Sequence, residues 1–269
     1  MNRQISIIGC GWLGLPLAKA LIKTGYEIKG TTTSKEKLYL LANEQIKAFY
    51  LKISSEGLTG NIQESLSESD VLVLNIPLGL QKNPEQNYVA SIQNLIPNIE
   101  ASPIKKVLFI SSSSVYADED PFPEITEKTK PNPNTESGKQ LLQVEALLQN
   151  NLHFKTTVVR FAGLFGNDRH PAKQLSGKTD LKNPDAPVNL IHLTDAIAIL
   201  LKIIEYDVFG ETFNASTTPH PSKQNYYTSV CKSMDLPLPS YDLSQKSKGK
   251  IILSNKLERF LNYEFQIKL

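Results

Sequence analysis

The chain opens with a short apolar run that leads directly into a glycine-rich turn and then into a helical pattern. The apolar run Ile5–Ile8 is followed by Gly9, Gly11 and Gly14, which have the spacing G-x-G-x-x-G, and the helical pattern continues to Lys23. A strand, a tight glycine turn and a helix in this order are typical of a dinucleotide-binding βαβ unit. The N-terminal part of the chain is therefore predicted to be a parallel α/β sheet.

Each glycine of this turn has a predicted role. Gly9 lets the chain leave the strand sharply, Gly11 lets the backbone approach a pyrophosphate, and Gly14 lets the helix pack close to the sheet. The pyrophosphate then lies at the helix N-terminus, where unpaired N–H groups and the helix dipole favour an anion. We therefore predict that Gly9, Gly11, Trp12, Leu13 and Gly14 bind a dinucleotide cofactor. The alternative is a glycine turn that serves packing only.

Short apolar segments alternate with helical patterns along residues 1–165, which predicts a Rossmann-type, doubly wound parallel sheet with helices on both faces. The candidate strands are Ser6–Ile8, Glu27–Thr31, Ala48–Leu51, Val71–Ile76, Val107–Ser111 and Thr157–Phe161. The candidate helices are Leu13–Lys23, Lys35–Asn43, Ile62–Leu66, Glu85–Ile99 and Glu136–Gln149.

The remaining residues, 166–269, are richer in Pro, Lys, Ser and Asp, and they predict a small C-terminal substrate lobe. This lobe is interleaved with a last strand and helix within 188–214, at Val188–His192 and Thr194–Ile204, with Thr194 or Asp195 as the helix N-cap. The proline-rich segment Asp118–Asn134 is predicted to be a functional loop.

Composition narrows the class of partner. A net charge of +2 over 269 residues gives no electrostatic footprint for nucleic acid, and no apolar run reaches the roughly 18 residues that a membrane span needs. The cysteines, Cys10 and Cys231, are expected to be free thiols, and the cytoplasm is the expected location. The four histidines lack metal-ligand spacing. We expect a monomer or homodimer that acts on a small-molecule substrate.

Three further motifs accompany the glycine turn. They are Ile110–Tyr116, reading ISSSSVY, Arg160–Gly166, reading RFAGLFG, and Asn189–Asp195, reading NLIHLTD. Together with the glycine turn, these motifs resemble the extended short-chain dehydrogenase/reductases, the NAD-dependent epimerase/dehydratase family. The resemblance covers about residues 5–214 and implies that Asn75, Pro77 and Ser111 line the cofactor.

The resemblance also implies an active site built from a Ser, a Tyr and a Lys. Ser112 matches the catalytic Ser, which hydrogen-bonds the substrate oxygen. When the helical stretch is aligned on Gly138 and Glu145, the Tyr position is occupied by Ser137 and the Lys position by Leu141. The chain therefore resembles atypical members of the family that lack both groups.

This loss removes the usual proton donor. A serine hydroxyl has none of the acidity of a tyrosine, and Leu141 cannot lower a neighbouring pKa or bind a ribose hydroxyl. Another residue must then exchange the proton if the chain is catalytic. The candidates that the sequence offers are Tyr116, Tyr88, Glu136 and His170, although a structural role is the commoner one for each.

The end of the second strand bears on the choice of cofactor. NAD enzymes usually place a carboxylate there, whereas this chain reads Gly30-Thr-Thr-Thr-Ser-Lys35. Hydroxyls and a cation suit a 2′-phosphate, so Thr32, Ser34 and Lys35 predict NADP, with NAD as the alternative. Ser34 is also a candidate N-cap for the following helix, with Lys35 solvated.

Two function classes follow from these observations. The loop that carries Arg169 and His170 corresponds to one that approaches the substrate in the family, and Arg169 can bind phosphate or carboxylate in a bidentate manner. The first class is an NADP-dependent epimerase, dehydratase or reductase with a non-standard active site, acting on a carbonyl or sugar-like substrate. The second is a non-catalytic NADP(H) sensor, which the missing Tyr and Lys favour.

Overall fold

A computed structural model describes residues 4–80, 84–166 and 168–269 of the chain. The strands are β1 (Gln4–Ile8), β2 (Glu27–Thr32), β3 (Lys47–Ser54), β4 (Gly57–Gly60), β5 (Val71–Leu74), β6 (Lys106–Ser112), β7 (Glu124–Ile125), β8 (Lys155–Phe161), β9 (Gly163–Phe165), β10 (Leu190–His192), β11 (Thr212–Ala215) and β12 (Ile251–Ile252). The helices are α1 (Gly14–Lys23), α2 (Glu36–Asn43), α3 (Ile62–Leu66), α4 (Tyr88–Glu100), α5 (Glu136–Gln149), α6 (Pro171–Leu175), α7 (Leu193–Glu205), α8 (Lys223–Ser233) and α9 (Asn255–Leu261).

The central sheet has eight strands in the order β11-β8-β6-β5-β1-β2-β3-β4. The pairs β1–β2, β1–β5, β2–β3 and β5–β6 are parallel, and β3–β4 is antiparallel. The run β3-β2-β1-β5-β6-β8 is the doubly wound Rossmann order, so the strand order reverses between β1 and β5. In open α/β sheets, ligands bind outside the carboxyl ends of the strands at this reversal.

The chain divides into two compact units. The first comprises Met1–Ser111, Glu136–Val159 and Ile199–Thr212, and the second comprises Ser112–Thr135, Arg160–Ala198 and Phe213–Leu269. In the first unit β5 is buried at all four positions, as expected for a strand covered on both faces. The helix α1 buries Leu17, Ala18 and Leu21 on one face, which follows from their helical spacing.

A buried ammonium group ties β2 to the end of α3 within the first unit. The Lys29 side chain is 1% exposed. Its Nζ donates to the backbone oxygen of Ser67 at 2.6 Å, to the Ser67 hydroxyl at 2.7 Å and to a Glu68 carboxylate oxygen at 3.0 Å. These bonds satisfy the buried charge and lower the pKa of the Glu68 carboxyl. A cation at a helix C-terminus also complements the helix dipole.

The second unit contains two short parallel pairs, β9–β10 and β7–β12. Its core joins the α6 and α8 segments through Phe165, Ala172, Val188, Leu190, Tyr227 and Cys231. Asp195 is fully buried and accepts hydrogen bonds from the Tyr263 hydroxyl at 2.6 Å and from the N–H groups of Gln266 and Ile267 at 2.8 and 3.2 Å. The N-cap predicted at Thr194 or Asp195 is wrong, because α7 already begins at Leu193. The Asp195 carboxylate instead anchors the C-terminal segment.

The predicted elements of the first 165 residues are confirmed, with small changes at their ends. The strand predicted at Val71–Ile76 ends at Leu74, and the helix predicted from Glu85 begins at Tyr88 because the Asn87 side chain caps it by accepting from the Ala90 N–H at 2.9 Å. The strand predicted at Val188–His192 forms over Leu190–His192, but it pairs with β9 rather than joining the central sheet. The segment 118–134 is not wholly a loop, since it contains β7.

Two further expectations concern the described part of the chain. None of its helices is long and apolar enough to cross a bilayer. Cys10 and Cys231 are both buried free thiols. Burial raises the pKa of Cys10 to about 12, so this thiol stays protonated and inert at neutral pH.

Replacing Lys29 tests the role of the buried ammonium. We expect Lys29→Ala to lower the free energy of unfolding by about 2–4 kcal/mol, because it removes buried methylenes and three hydrogen bonds. Lys19→Ala is the matched control, since Lys19 pairs with Glu44 on the surface and should change stability by less than about 0.5 kcal/mol. Urea unfolding measures both variants, and equal midpoints for Lys29→Ala and wild type would contradict the assignment.

Candidate functional site

The glycine turn lies where β1 and β5 end, at the reversal of strand order. Gly9 has φ +101°, and a Cβ on it would lie 2.1 Å from the backbone oxygen of Asn75. A Cβ on Gly14 would lie 2.2 Å from the backbone oxygen of Gly9. No side chain fits at either position without backbone movement, so these two glycines are required by the packing of the protein itself.

Gly11 differs from Gly9 and Gly14 because the packing of the protein does not require a glycine at this position. It is exposed, and a Cβ on it would meet no atom of the described chain within 4 Å. The open space beside Gly11 is what the close approach of a pyrophosphate needs. The residues present therefore fit the phosphate groups of a dinucleotide.

The N-terminus of α1 supplies the complementary charge. Leu13 occupies the N-cap position without a side-chain cap, and the described first turn contains no acidic residue. The first N–H groups of a helix have no partner inside it, so together with the dipole they form an anion site. Leu13 itself is buried, and only its backbone can face a ligand.

Asn75 and Thr31 hold the turn in place from the two neighbouring strands. The Asn75 side-chain amide donates to the Gly9 oxygen at 2.9 Å, and the Asn75 N–H donates to the Ile8 oxygen at 2.9 Å. On the other side the Thr31 hydroxyl accepts from the Gly9 N–H at 3.1 Å, and its backbone oxygen accepts from the Cys10 N–H at 2.9 Å. Asn75 is thus a positioning residue, and its contact with a cofactor remains a prediction, as does that of exposed Pro77.

Thr31 was missed from the sequence, although it directly precedes the predicted Thr32. Thr32 is buried, and its hydroxyl accepts from the Ser34 N–H at 3.2 Å. Lys35 is exposed, and its Nζ lies 5.6 Å from the ring centroid of Tyr50, a cation–π distance. Thr32 and Tyr50 are register partners across β2 and β3, so buried Thr32 and exposed Lys35 both lie next to Tyr50 at the end of β2.

The Ser34 hydroxyl does not cap α2. It donates to a Glu36 carboxylate oxygen at 2.5 Å, and the N-cap position of α2 is occupied by Lys35 without a side-chain cap. This hydrogen bond and the nearby Lys35 charge lower the pKa of the Glu36 carboxyl. The sequence interpretation that no carboxylate follows β2 overlooked Glu36, which lies two residues beyond Ser34.

The two serines that end β6 have different surroundings. Ser111 is buried, and its hydroxyl donates to the buried Glu145 carboxylate at 2.6 Å within the first unit. Ser112 belongs to the second unit, where its hydroxyl accepts from the Ser114 N–H at 3.1 Å. Ser111 is thus held by Glu145, for which the sequence alone predicts no site role. The predicted cofactor contact of Ser111 and the catalytic role of Ser112 remain predictions.

The positions aligned with Tyr and Lys lie on α5. Ser137 is half-buried in the first turn, and Leu141 is 1% exposed on the inner face. Beside Ser137, the exposed Glu136 accepts from the Gln140 side-chain amide at 2.9 Å. Gln140 also accepts from the Tyr88 N–H at 2.7 Å through its side-chain oxygen. The start of α5 is therefore polar and ordered.

Two of the candidate acids are enclosed by protein. Tyr88 and Tyr116 are each 1% exposed. The Tyr88 hydroxyl donates to the Ile76 oxygen at 3.1 Å, and burial raises its pKa. The Tyr116 hydroxyl accepts from Arg160 Nη1 at 2.5 Å. Neither phenol has the exposure that a substrate contact requires.

His170 is a buried helix cap in the second unit. Its Nδ1 accepts from the Ala172 N–H at 3.1 Å, so the proton of the neutral ring is assigned to Nε2, which lies 3.2 Å from the Tyr226 hydroxyl. Burial, followed by the charge of Lys173, lowers the pKa of His170 and keeps the ring neutral at pH 7. Arg169 is exposed beside it. The substrate contacts predicted for both residues remain predictions.

A family model described as the NAD-dependent epimerase/dehydratase family matches residues 5–215. The chain belongs to this family. The family resemblance and the fold inferred from the sequence are therefore confirmed.

Individual proteins are similar to this chain over most of its length. Protein YeeZ of Escherichia coli K12 is 30% identical over 268 residues, which cover 98% of this chain and 96% of that protein. Two structures of the UDP-glucuronic acid 4-epimerase of Bacillus cereus in complex with NAD have TM-scores of 0.77–0.78 and 17–18% sequence identity. The match covers 98% of this chain and 92–94% of that chain. The UDP-N-acetylglucosamine 4-epimerase of the same organism has a TM-score of 0.77 and 17% identity, and it covers 98% and 94% of the two chains. At these identities the structural likeness shows the fold.

The contrast between Gly11 and Gly14 predicts two different defects. Gly11→Val should keep the melting temperature within about 2 °C of wild type, because the side chain enters open space, while NADPH binding is lost. Gly14→Val should lower the melting temperature by about 5 °C or more, because its Cβ collides with the backbone. Trp12 is the sole tryptophan, so its emission reports binding beside a thermal melt. Wild-type affinity in Gly11→Val would remove this turn from the cofactor site.

Proposed function

We propose that this protein is an NAD(P)-dependent oxidoreductase, epimerase or dehydratase with a non-standard active site, acting on a carbonyl or sugar-like substrate. The observation that carries the proposal is the open space at Gly11 beside the uncapped N-terminus of α1, at the reversal of strand order. Membership of the NAD-dependent epimerase/dehydratase family supports it. The structural neighbours include two UDP-sugar 4-epimerases, one of them in complex with NAD.

The chain's own residues divide the work of holding the cofactor. The turn Gly9–Gly14 and the first N–H groups of α1 hold the pyrophosphate, and Thr32, Ser34 and Lys35 favour NADP over NAD at the 2′-position. When bound, the nicotinamide supplies or accepts a hydride. The protein has to supply the proton exchange that accompanies that transfer.

We assign the proton exchange to Glu136. Among the four candidates, Tyr88 and Tyr116 are buried and both ring nitrogens of His170 have protein partners. Glu136 is exposed and precedes Ser137, the position aligned with the catalytic Tyr. The Gln140 amide orients its carboxylate, and a carboxyl group can exchange a proton with a substrate hydroxyl. The substrate contacts that the family resemblance implies for Ser112, Arg169 and His170 stay predictions.

A sensor of NADP(H) is the second candidate, and Leu141 is the observation that favours it. Its side chain is 1% exposed in the core beneath α5, so it can neither bind a ribose hydroxyl nor lower the pKa of a neighbour. A protein that only reports cofactor state needs neither function. Turnover, tested below, separates the two candidates.

The charge at Lys35 should set the preference for NADP. We expect Lys35→Asp to weaken NADPH binding about tenfold more than NADH binding, because it replaces an attraction to the 2′-phosphate by a repulsion. Lys37→Asp is the matched control, because Lys37 is an exposed lysine in the first turn of α2. Calorimetric titration measures both cofactors. An unchanged ratio of the two affinities in Lys35→Asp would exclude Lys35 from the site.

The proton exchange should depend on Glu136. Incubation of wild type with NADPH and a panel of small aldehydes, ketones and sugar nucleotides should give slow turnover, followed by absorbance of the reduced nicotinamide. Glu136→Gln should reduce that rate by about 10²–10⁴, the usual contribution of general acid–base catalysis. Glu44→Gln is the control, because Glu44 follows α2 and pairs with Lys19 rather than lying beside Ser137.

Three outcomes of this assay are informative. Slow turnover that is lost in Glu136→Gln and in Ser112→Ala supports the proposed enzyme. Fast turnover that survives both variants would show that the proposed site is wrong. Turnover of none of the substrates, with NADPH still bound, would favour the sensor.

A further inference from the structure

A cleft of about 860 Å³ lies at the amino ends of the central strands, on the edge of the sheet opposite to the glycine turn. Ile5, Val71 and Lys106 line it at the starts of β1, β5 and β6, and all of its lining residues belong to the first unit. Small-molecule sites in proteins commonly enclose about 300–1,000 Å³. The cleft therefore has the size of a small-molecule site, and it is separate from the proposed cofactor site.

One part of the lining is apolar. Ile5 and Val71 are buried at the strand ends, and Ile204 is buried in the last turn of α7. Tyr26 is half-buried and lines the same cleft, and an aromatic ring can hold a cation over its face. This floor suits the methylene groups of a ligand better than a fully hydrated ion.

The charged part of the lining is predominantly acidic. It contains the carboxylates of Asp70, Glu205 and Asp207 and the ammonium of Lys106. Lys106 Nζ lies 2.8 Å from an Asp207 carboxylate oxygen and 3.1 Å from one of Asp70. Glu205 is exposed, and its side chain has no hydrogen bond or ion pair within the described part of the chain. Three carboxylates thus face one ammonium, which is already paired.

The helices add to this negative potential. Thr24 follows α1, Pro103 lies shortly after α4, and Glu205 is the last residue of α7, so the C-terminal ends of three helices lie at the cleft. Each helix C-terminus carries about half a negative elementary charge. The carboxylates and the helix ends therefore both favour a cationic ligand.

The donor set indicates which kind of cation. Among the residues that the structure describes, no three Asp, Glu, His or Cys side chains are grouped so that they could hold a metal ion. A compact ion would also leave the apolar floor uncovered. A linear aliphatic polyamine matches both parts of the lining, because its ammonium groups can pair with separate carboxylates while its methylenes cover Ile5 and Val71.

We propose that this cleft binds a linear aliphatic polyamine, with Glu205 and Asp207 as its charged contacts and the apolar floor beneath its methylene chain. Asp207 is shared with Lys106, whereas Glu205 is available to the ligand alone. This inference does not depend on the proposed function, since the cleft lies at the other edge of the sheet.

Calorimetric titration of the full chain with spermidine tests this inference. Glu205→Gln keeps the size of the side chain and removes its charge, so it should raise the dissociation constant about two- to fivefold, the effect of one exposed charge pair. The double variant Glu205→Gln with Asp207→Asn should raise it about tenfold. Asparagine tolerates the φ of +57° at position 207.

Glu56→Gln is the matched control, because Glu56 is an exposed glutamate between β3 and β4 and does not line the cleft. It should leave the dissociation constant at the wild-type value. Octanediol, which has a methylene chain and no charge, should not bind. A melting temperature within about 2 °C of wild type confirms that the variants are folded.

The outcomes decide the inference independently of cofactor binding. Spermidine binding that Glu205→Gln weakens and Glu56→Gln does not weaken supports it. Equal affinity in wild type and Glu205→Gln, or an equal loss in Glu56→Gln, would show a general attraction to acidic surface and would overturn it. Absence of binding to wild type at about 5 mM spermidine would overturn it as well. Titration of the same variants with NADPH tests the proposed function separately.

Discussion

The contact between the glycine turn and the end of β5 is the constraint on which the candidate site depends. The backbone oxygen of Asn75 lies where a Cβ of Gly9 would be, and the Asn75 amide binds the Gly9 oxygen. Thr31 holds the same turn from β2 through the N–H groups of Gly9 and Cys10. Three neighbouring strands thus fix the turn before any ligand arrives. A preorganised backbone of this kind reduces the ordering cost of binding an anion.

Much of the first unit could be predicted because its signals are local. The G-x-G-x-x-G spacing predicted the strand, turn and helix at the start of the chain, and the alternating apolar segments predicted a doubly wound parallel sheet. The helices α3 and α5 have the predicted bounds. Such regularity follows from periodicity and from the need to bury both faces of a parallel sheet. The short strands β7, β9 and β12 carry no such signal, because two or three residues are too few to show a period. They are fixed by partners far away in the chain, as β12 is by β7.

The candidate site was predictable in residue identity more than in contacts. Sequence reasoning selected Gly9, Gly11 and Gly14, but it could not distinguish the two required by packing from the one that faces open space. It also overlooked Glu36, since its distance from the Ser34 hydroxyl depends on how the chain enters α2. The buried positions of Tyr88 and Tyr116 likewise arise from tertiary packing, and they leave Glu136 as the exposed group beside Ser137.

The start of α1 is proposed to bind the pyrophosphate of a nicotinamide dinucleotide through its backbone N–H groups. Amide hydrogen exchange, followed residue by residue with and without saturating NADPH, tests this claim most directly. We expect slower exchange at Trp12, Leu13 and Gly14, where new hydrogen bonds would form, and a smaller change in the other helices. Unchanged exchange at these three amides, under conditions where NADPH demonstrably binds, would contradict it.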